Sequence, residues 1–225
     1  MNNKLIFVEG PKGVGKSQVS WHIKASLPPR KFEVTQEPFT AELAKAADVI
    51  ADPYLGGPAS IDYVTQALIY AADRCAHMRE VWFWLHPNSN NVHVISDRGP
   101  LSTMVYQGLV GGVDLDWLLA LNRVAMKGIT VAATILLHAP FETTVQRIEE
   151  RGTPLTQQER DQLRPAWEAY ESLRLGAHDS NGHLKHFVSE WKDITGWIYY
   201  IDANRPAAEV EADVIATIDR IIQGA

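Results

Sequence analysis

Residues 10 to 17 read Gly10-Pro11-Lys12-Gly13-Val14-Gly15-Lys16-Ser17. They satisfy the phosphate-binding loop pattern G-x-x-x-x-G-K-[ST] at every fixed position. The flanks fit as well. Lys4 to Val8 (KLIFV) is a short apolar run suited to a buried strand, and Gln18 onward (QVSWHIKASL) has helical spacing. Strand, glycine loop and helix are the setting the motif needs. The backbone N–H groups of the loop and the helix N-terminus make an anion site. Lys16 adds a mobile positive charge for the outer phosphates, and the Ser17 hydroxyl is placed to hold Mg²⁺. Gly10 to Ser17 as a whole are therefore the expected cradle of a nucleoside triphosphate, with Mg²⁺ at its far end.

The rest of the chain repeats the rhythm. Short apolar or β-branched runs at Leu5–Val8, Phe32–Thr35, Val92–Ser96, Ala132–Leu137 and Ile198–Ile201 read as strands buried on both faces. Helical spacing covers Lys16–Leu27, Ala41–Ile50, Ile61–Trp84, Leu101–Gln107, Asp116–Lys127, Phe141–Glu150, Gln157–Leu175 and Ala207–Ile222. Strand–helix alternation predicts an α/β protein of the P-loop NTPase fold, a doubly wound five-stranded parallel sheet flanked by helices. The expectation is one kinase-type domain over residues 1–225 with a small lid near residues 151–160. In such sheets ligands sit beyond the carboxyl ends of the strands. That rule gathers Glu9–Ser17, Glu37-Pro38, Asp97-Arg98 and the segment after Leu137.

Bulk properties narrow the setting. The chain has 225 residues, 46% hydrophobic and 21% charged, as a soluble globular core requires. No apolar run nears the about 18 residues of a membrane span. The apolar pattern starts at Leu5, so no leader peptide is expected. The single cysteine, Cys75, excludes an internal disulfide. A cytoplasmic protein is expected. Net charge is −6 with no Lys/Arg run, which speaks against a broad nucleic-acid footprint. The seven tryptophans read as core or dimer packing rather than base stacking. The eight histidines show no metal spacing, and no zinc site is expected.

Further polar residues fall where that cleft should be. Asp97-Arg98 closes a strand with an acid that can hold the Mg²⁺ shell and a guanidinium that can clamp phosphate bidentately. Pro38 biases Glu37 toward extended geometry, so its carboxylate can point into the cleft and orient a hydroxyl or act as a base. Tyr70 and Arg74 share a helix face, a pairing suited to a base and a phosphate. Arg147 and Arg151 also lie four apart, on the helix leading into the lid segment. An arginine closing there would stabilise the charge of a transferred phosphoryl group.

Together these pieces resemble the thymidylate kinase family of nucleoside monophosphate kinases. The resemblance rests on the phosphate loop and on residues 66–77 (QALIYAADRCAH), 94–108 (VISDRGPLSTMVYQG), 132–151 and 201–214 (IDANRPAAEVEADV). It covers nearly the whole chain except residues 176–196. It implies that Tyr70 stacks on a pyrimidine base and that Arg74 and Arg98 hold the acceptor monophosphate. Asp97 would sit by Mg²⁺, Thr103 and Tyr106 at base and sugar, and Asn204-Arg205-Pro206 at the adenine of ATP. Relatives are often dimers through the long helices, so a homodimer is implied.

The departures cluster on the acceptor side. Lys12 stands where the family usually has an acid near the acceptor's 3′-hydroxyl. Phe39-Thr40 follows Glu37-Pro38 in place of Gly-Gly-Thr. Gly99 replaces a bulky ring after Asp-Arg, and the lid segment has few arginines. The expected function is ATP- and Mg²⁺-dependent phosphoryl transfer to a pyrimidine deoxynucleoside monophosphate, with Lys16, Asp97, Arg98, Arg151 and Glu37 carrying it. One rival is a kinase retargeted to a hydroxyl, on a deoxynucleoside or on 5-hydroxymethyluracil as a nucleotide or in DNA, the only reading with a DNA partner. The other is a nucleotide-binding ATPase that makes no product nucleotide.

Overall fold

The computed structural model describes residues 3–28, 31–51, 62–152, 154–175 and 190–224. Strands β1 (Leu5–Glu9), β2 (Phe32–Gln36), β3 (His93–Asp97), β4 (Val131–His138) and β5 (Trp197–Asp202) form one parallel sheet in the order β2-β3-β1-β4-β5. The α/β expectation therefore holds. Successive strand residues point to opposite faces. Leu5 and Phe7 join the core on one face of the sheet, while Ile6 and Val8 join the core on the other.

The helices are α1 (Lys16–Ser26), α2 (Ala41–Ala51), α3 (Tyr63–Leu85), α4 (Pro100–Thr103), α5 (Leu115–Ala125), α6 (Phe141–Arg151), α7 (Gln157–Leu175), α8 (Lys192–Thr195) and α9 (Ala207–Gln223). Helix α3 starts at Tyr63 because the Asp62 carboxylate accepts from the Thr65 N–H at 3.0 Å. The expected start at Ile61 lies outside the described residues. Asp114 caps α5 in the same way through the Trp117 N–H, which moves its start from the expected Asp116 to Leu115.

The expected helix Leu101–Gln107 is not a single α-helix. The α4 turn passes into a π-helix at Met104–Val110. The wider coil brings Gly108 against α5, where a Cβ would lie 2.4 Å from Leu115 Cδ2. Thr103, Tyr106 and Gln107 all line the same cavity. Widened turns of this kind recur at functional sites.

Strand order decides where ligands go. The central β1 has β3 on one side and β4 on the other, so the crevice opens at its carboxyl end. Val8 pairs with Asp97 in register, and the Arg98 N–H donates to the Val8 carbonyl at 2.9 Å. Backbone pairing alone thus sets Asp97-Arg98 beside the phosphate loop. Of the segment 176–196, the part from Glu190 onward is described. Trp191 is buried in the core and packs before α8, in keeping with the packing role expected of tryptophan. Trp197, by contrast, is exposed, with the Lys192 ammonium 3.1 Å from its ring centroid. His178, His183 and His186 lie outside the described residues.

Candidate active site

The phosphate loop runs from β1 into α1. Gly15, at φ +108°, sits in the left-handed region just before Lys16. Gly13, at φ +86°, passes so close to α6 that a Cβ would lie 2.3 Å from the Thr144 carbonyl oxygen. No larger residue fits there without moving the loop. Lys16 is buried, and its ammonium donates to the Gly10 and Pro11 carbonyls at 2.7 and 3.0 Å. Burial, reinforced by Arg98 and Arg151, brings its pKa down to about 7 against the opposing pull of Asp97 and Glu9. This lysine is held in place and short of negative charge.

The Ser17 hydroxyl donates to Asp97 Oδ2 at 3.2 Å. Asp97 Oδ1 is buried without a hydrogen-bond partner. A buried carboxylate oxygen left bare is costly, and hard oxygen donors side by side suit Mg²⁺. The residues present therefore fit that ion: Ser17 and Asp97 would hold it, the pair singled out in the sequence.

Arg98 adopts φ +77°, rare for a side chain of its size. Its neighbourhood explains how that turn is held. Glu9, fully buried, accepts from the Gly99 and Ser102 N–H groups and from the Ser102 and Tyr170 hydroxyls at 2.7 to 3.0 Å. Burial raises the pKa of Glu9, with Arg98 and Lys16 opposing. Burial works against the charge on Arg98, and Tyr106, Tyr170, Glu9 and Asp97 more than offset it. Arg98 donates to Ser102 Oγ at 3.0 Å and lies over the Tyr106 ring at 5.6 Å.

Gly99 now has a physical reason. A Cβ there would lie 2.5 Å from the Phe7 ring. Phe7 on β1 fills the space, so no ring can follow Asp97-Arg98 in this chain.

A cavity of about 540 Å³ opens beside the loop. Its walls bring together Lys12, Glu37, Pro38, Tyr70, Arg74, Arg98, Thr103 and Tyr106, all named from sequence. Arg74 is buried. It donates through Nε and Nη2 to the Glu37 carboxylate, at 2.6 Å for the shortest contact, and through Nη1 to Thr103 and Asn122. His77 Nδ1 lies 3.2 Å from Glu37 Oε1. Burial tends to raise the pKa of Glu37, but Arg74 and His77 prevail and hold it below the ordinary carboxylate value. Glu37 is thus held in its charged form by Arg74 and His77, and both its oxygens are engaged. Asp73, one residue before Arg74, accepts from the Phe39 and Thr40 N–H groups at 2.6 and 2.7 Å. It pins the loop that carries Glu37.

The remaining candidates lie elsewhere. Arg147 donates to the Val14 and Ala203 carbonyls at 3.2 and 2.9 Å, tying the phosphate loop to the segment after β5. Asn204 accepts from Thr143, and Arg205 donates to Asp213 at 2.5 Å. Arg151 is exposed at the end of α6 and acts electrostatically on Lys16. Sequence reading placed Glu9 in the cleft without a role and missed Gln66, Asp73, Gln107, Asn122 and Glu159. Gln66, Asp73 and Gln107 lie inside the segments quoted above, and Glu159 closes a Thr156-x-x-Glu159 capping box, which is a readable signal. The others carry no local signature.

A triphosphate loop at the head of a parallel sheet, with a second arginine-bearing cavity beside it, defines a phosphotransferase of the P-loop kinase class. Sequence comparison supplies the family. A model of thymidylate kinase matches residues 8–214. Over 160 residues the chain is 34% identical to thymidylate kinase of Prochlorococcus marinus strain NATL2A, covering 67% of this chain and 74% of that protein. Over 172 residues it is 33% identical to a probable thymidylate kinase of Metallosphaera sedula, covering 75% and 78%. Thymidylate kinase of Geobacillus sp. strain WCH70 is 29% identical along the full length of both chains. The chain belongs to the thymidylate kinase family.

Proposed function

We propose that this protein transfers the γ-phosphoryl group of ATP, with Mg²⁺, to the 5′-phosphate of a pyrimidine deoxynucleoside monophosphate, dTMP first among them. The observation that carries this reading is Arg98. Its guanidinium lies on the wall of the cavity, next to Asp97, and acts electrostatically on Lys16. A phosphate held there would face the triphosphate loop. Tyr70 and Tyr106 line the same cavity and suit a base and a sugar.

The chemistry asks for position and charge neutralisation rather than a covalent intermediate. Lys16 would move from the Gly10 and Pro11 carbonyls to the outer phosphates, whose negative charge favours its protonated form. Arg98 holds the attacking phosphate, and Arg151, exposed at the end of α6 and felt by Lys16, would answer the charge that spreads over the transferred group. Mg²⁺, held by Ser17 and Asp97, would supply neutralisation of the triphosphate. A phosphate acceptor needs no general base. The carboxylate best placed to serve a hydroxyl acceptor, Glu37, is already engaged by Arg74 and His77, which supports the monophosphate reading over the hydroxyl one. We further read the protein as cytoplasmic, one domain with a small lid, and homodimeric. Val64, Leu68, Trp82 and Phe83 leave apolar surface on α3. No helix among the described residues is long and apolar enough to cross a membrane. The test is an assay of ADP release with Mg·ATP and each deoxynucleoside monophosphate: dTMP or dUMP should turn over, and silence on all of them overturns the reading.

A further inference from the structure

Lys12 is the residue for which the reaction above has no use. It belongs to the phosphate loop, yet its ammonium is bonded to Glu159 Oε1 in the first turn of α7. The pair joins residues 147 positions apart. Both side chains line the mouth of the acceptor cavity, beside Thr156, Gln157 and Gln158. Glu159 does a second job with its other oxygen. Oε2 accepts from the Thr156 N–H at 2.9 Å, and the Glu159 N–H donates to Thr156 Oγ1 at 3.2 Å. That capping box starts α7. Burial tends to raise the Glu159 pKa, and Lys12 and Thr156 together bring it below the ordinary carboxylate value.

We infer that Lys12 and Glu159 form a strap that positions the start of α7 as the roof of the acceptor cavity. The capping box makes residues 156–159 one rigid unit, and the ion pair moors that unit to the phosphate loop. The loop thereby sets the height of the roof over the acceptor. Lys12 and Glu159 are positioning residues here: they act through the placement of the cavity wall and hold no reacting atom. The inference rests on the proposed acceptor only in its kinetic test.

The side chains are 32% and 37% exposed, so the strap is worth a modest amount. Lys12→Met keeps the capping box and removes the mooring. It should raise the KM for dTMP about three- to fivefold, and by more than it raises the KM for ATP. Lys12→Arg, which keeps both the charge and the capping box, should keep the wild-type KM. Trypsin cutting after Arg151 or Arg160, without nucleotide, gives an arm that needs no acceptor. It should be faster in Lys12→Met and stay at the wild-type rate in Lys12→Arg. Equal rises in both KM values, a Lys12→Arg variant as impaired as Lys12→Met, or equal cutting of wild type and Lys12→Met would each overturn the strap. A wild-type enzyme inactive on every monophosphate overturns the proposed acceptor instead, and the proteolysis arm then decides the strap alone.

Discussion

The triphosphate side and the acceptor side of this cleft are built on different rules. The triphosphate side is local: eight consecutive residues, Gly10 to Ser17, supply the loop, the lysine and one proposed metal ligand, and backbone pairing of β1 with β3 adds Asp97. The acceptor side is assembled over long distances. Glu37 meets Arg74, Lys12 meets Glu159, and Gly99 meets Phe7. A local device changes little without failing, whereas a long-range one can change at both ends. Lys12 and Gly99 look anomalous in sequence, and in the structure each is matched by a partner.

The contrast predicts an order of effects. Lys16→Ala removes the one cation buried in the loop and should lower kcat/KM by about a thousandfold or more. Steady-state ADP release measures it, and near-normal turnover would sink the mechanism. Asp97→Asn leaves the fold in place but takes one negative charge from the metal-binding pair. It should cost about a hundredfold in turnover, with a weakened response to Mg²⁺ titration. A loss independent of Mg²⁺ would move Asp97 to another role.

On the acceptor side the effects should be smaller and coupled. Gly99→Tyr drives a ring into Phe7 and should destabilise by about 1–3 kcal/mol, read from urea unfolding. Combined with Phe7→Ala, part of that cost should vanish, because the two sites share one space. Strict additivity would break the Gly99–Phe7 account. The smallest effect concerns protons. Lys16 titrates at about 7 in the free protein, and bound triphosphate favours its charged form, raising that value. At pH 8 nucleotide binding should therefore take up about one proton, and affinity should fall as pH rises through 7. Calorimetry at pH 8 in buffers of different ionisation enthalpy reads this directly, and binding without proton uptake contradicts it.

The same contrast explains what the sequence could say. Strand alternation and the loop motif gave the sheet, because both are short-range patterns. Tyr70, Arg74, Asp97 and Arg98 were legible because each sits in a compact signature. The grip of Arg74 on Glu37 was not, since it joins two separate signatures through burial. Glu9 fell within the cleft segment Glu9–Ser17 with no role assigned, yet it organises the Arg98 turn with four hydrogen bonds. The π-helix was hidden because it goes with a tertiary contact, Gly108 against Leu115, that no local helix signal announces.

The central claim is the identity of the acceptor. ADP release with Mg·ATP should be followed across dTMP, dUMP, the other deoxynucleoside monophosphates, the free nucleosides, and DNA with and without 5-hydroxymethyluracil. The account predicts turnover with dTMP or dUMP and none with hydroxyl acceptors. Turnover on a nucleoside or on modified DNA, with every monophosphate silent, would contradict it.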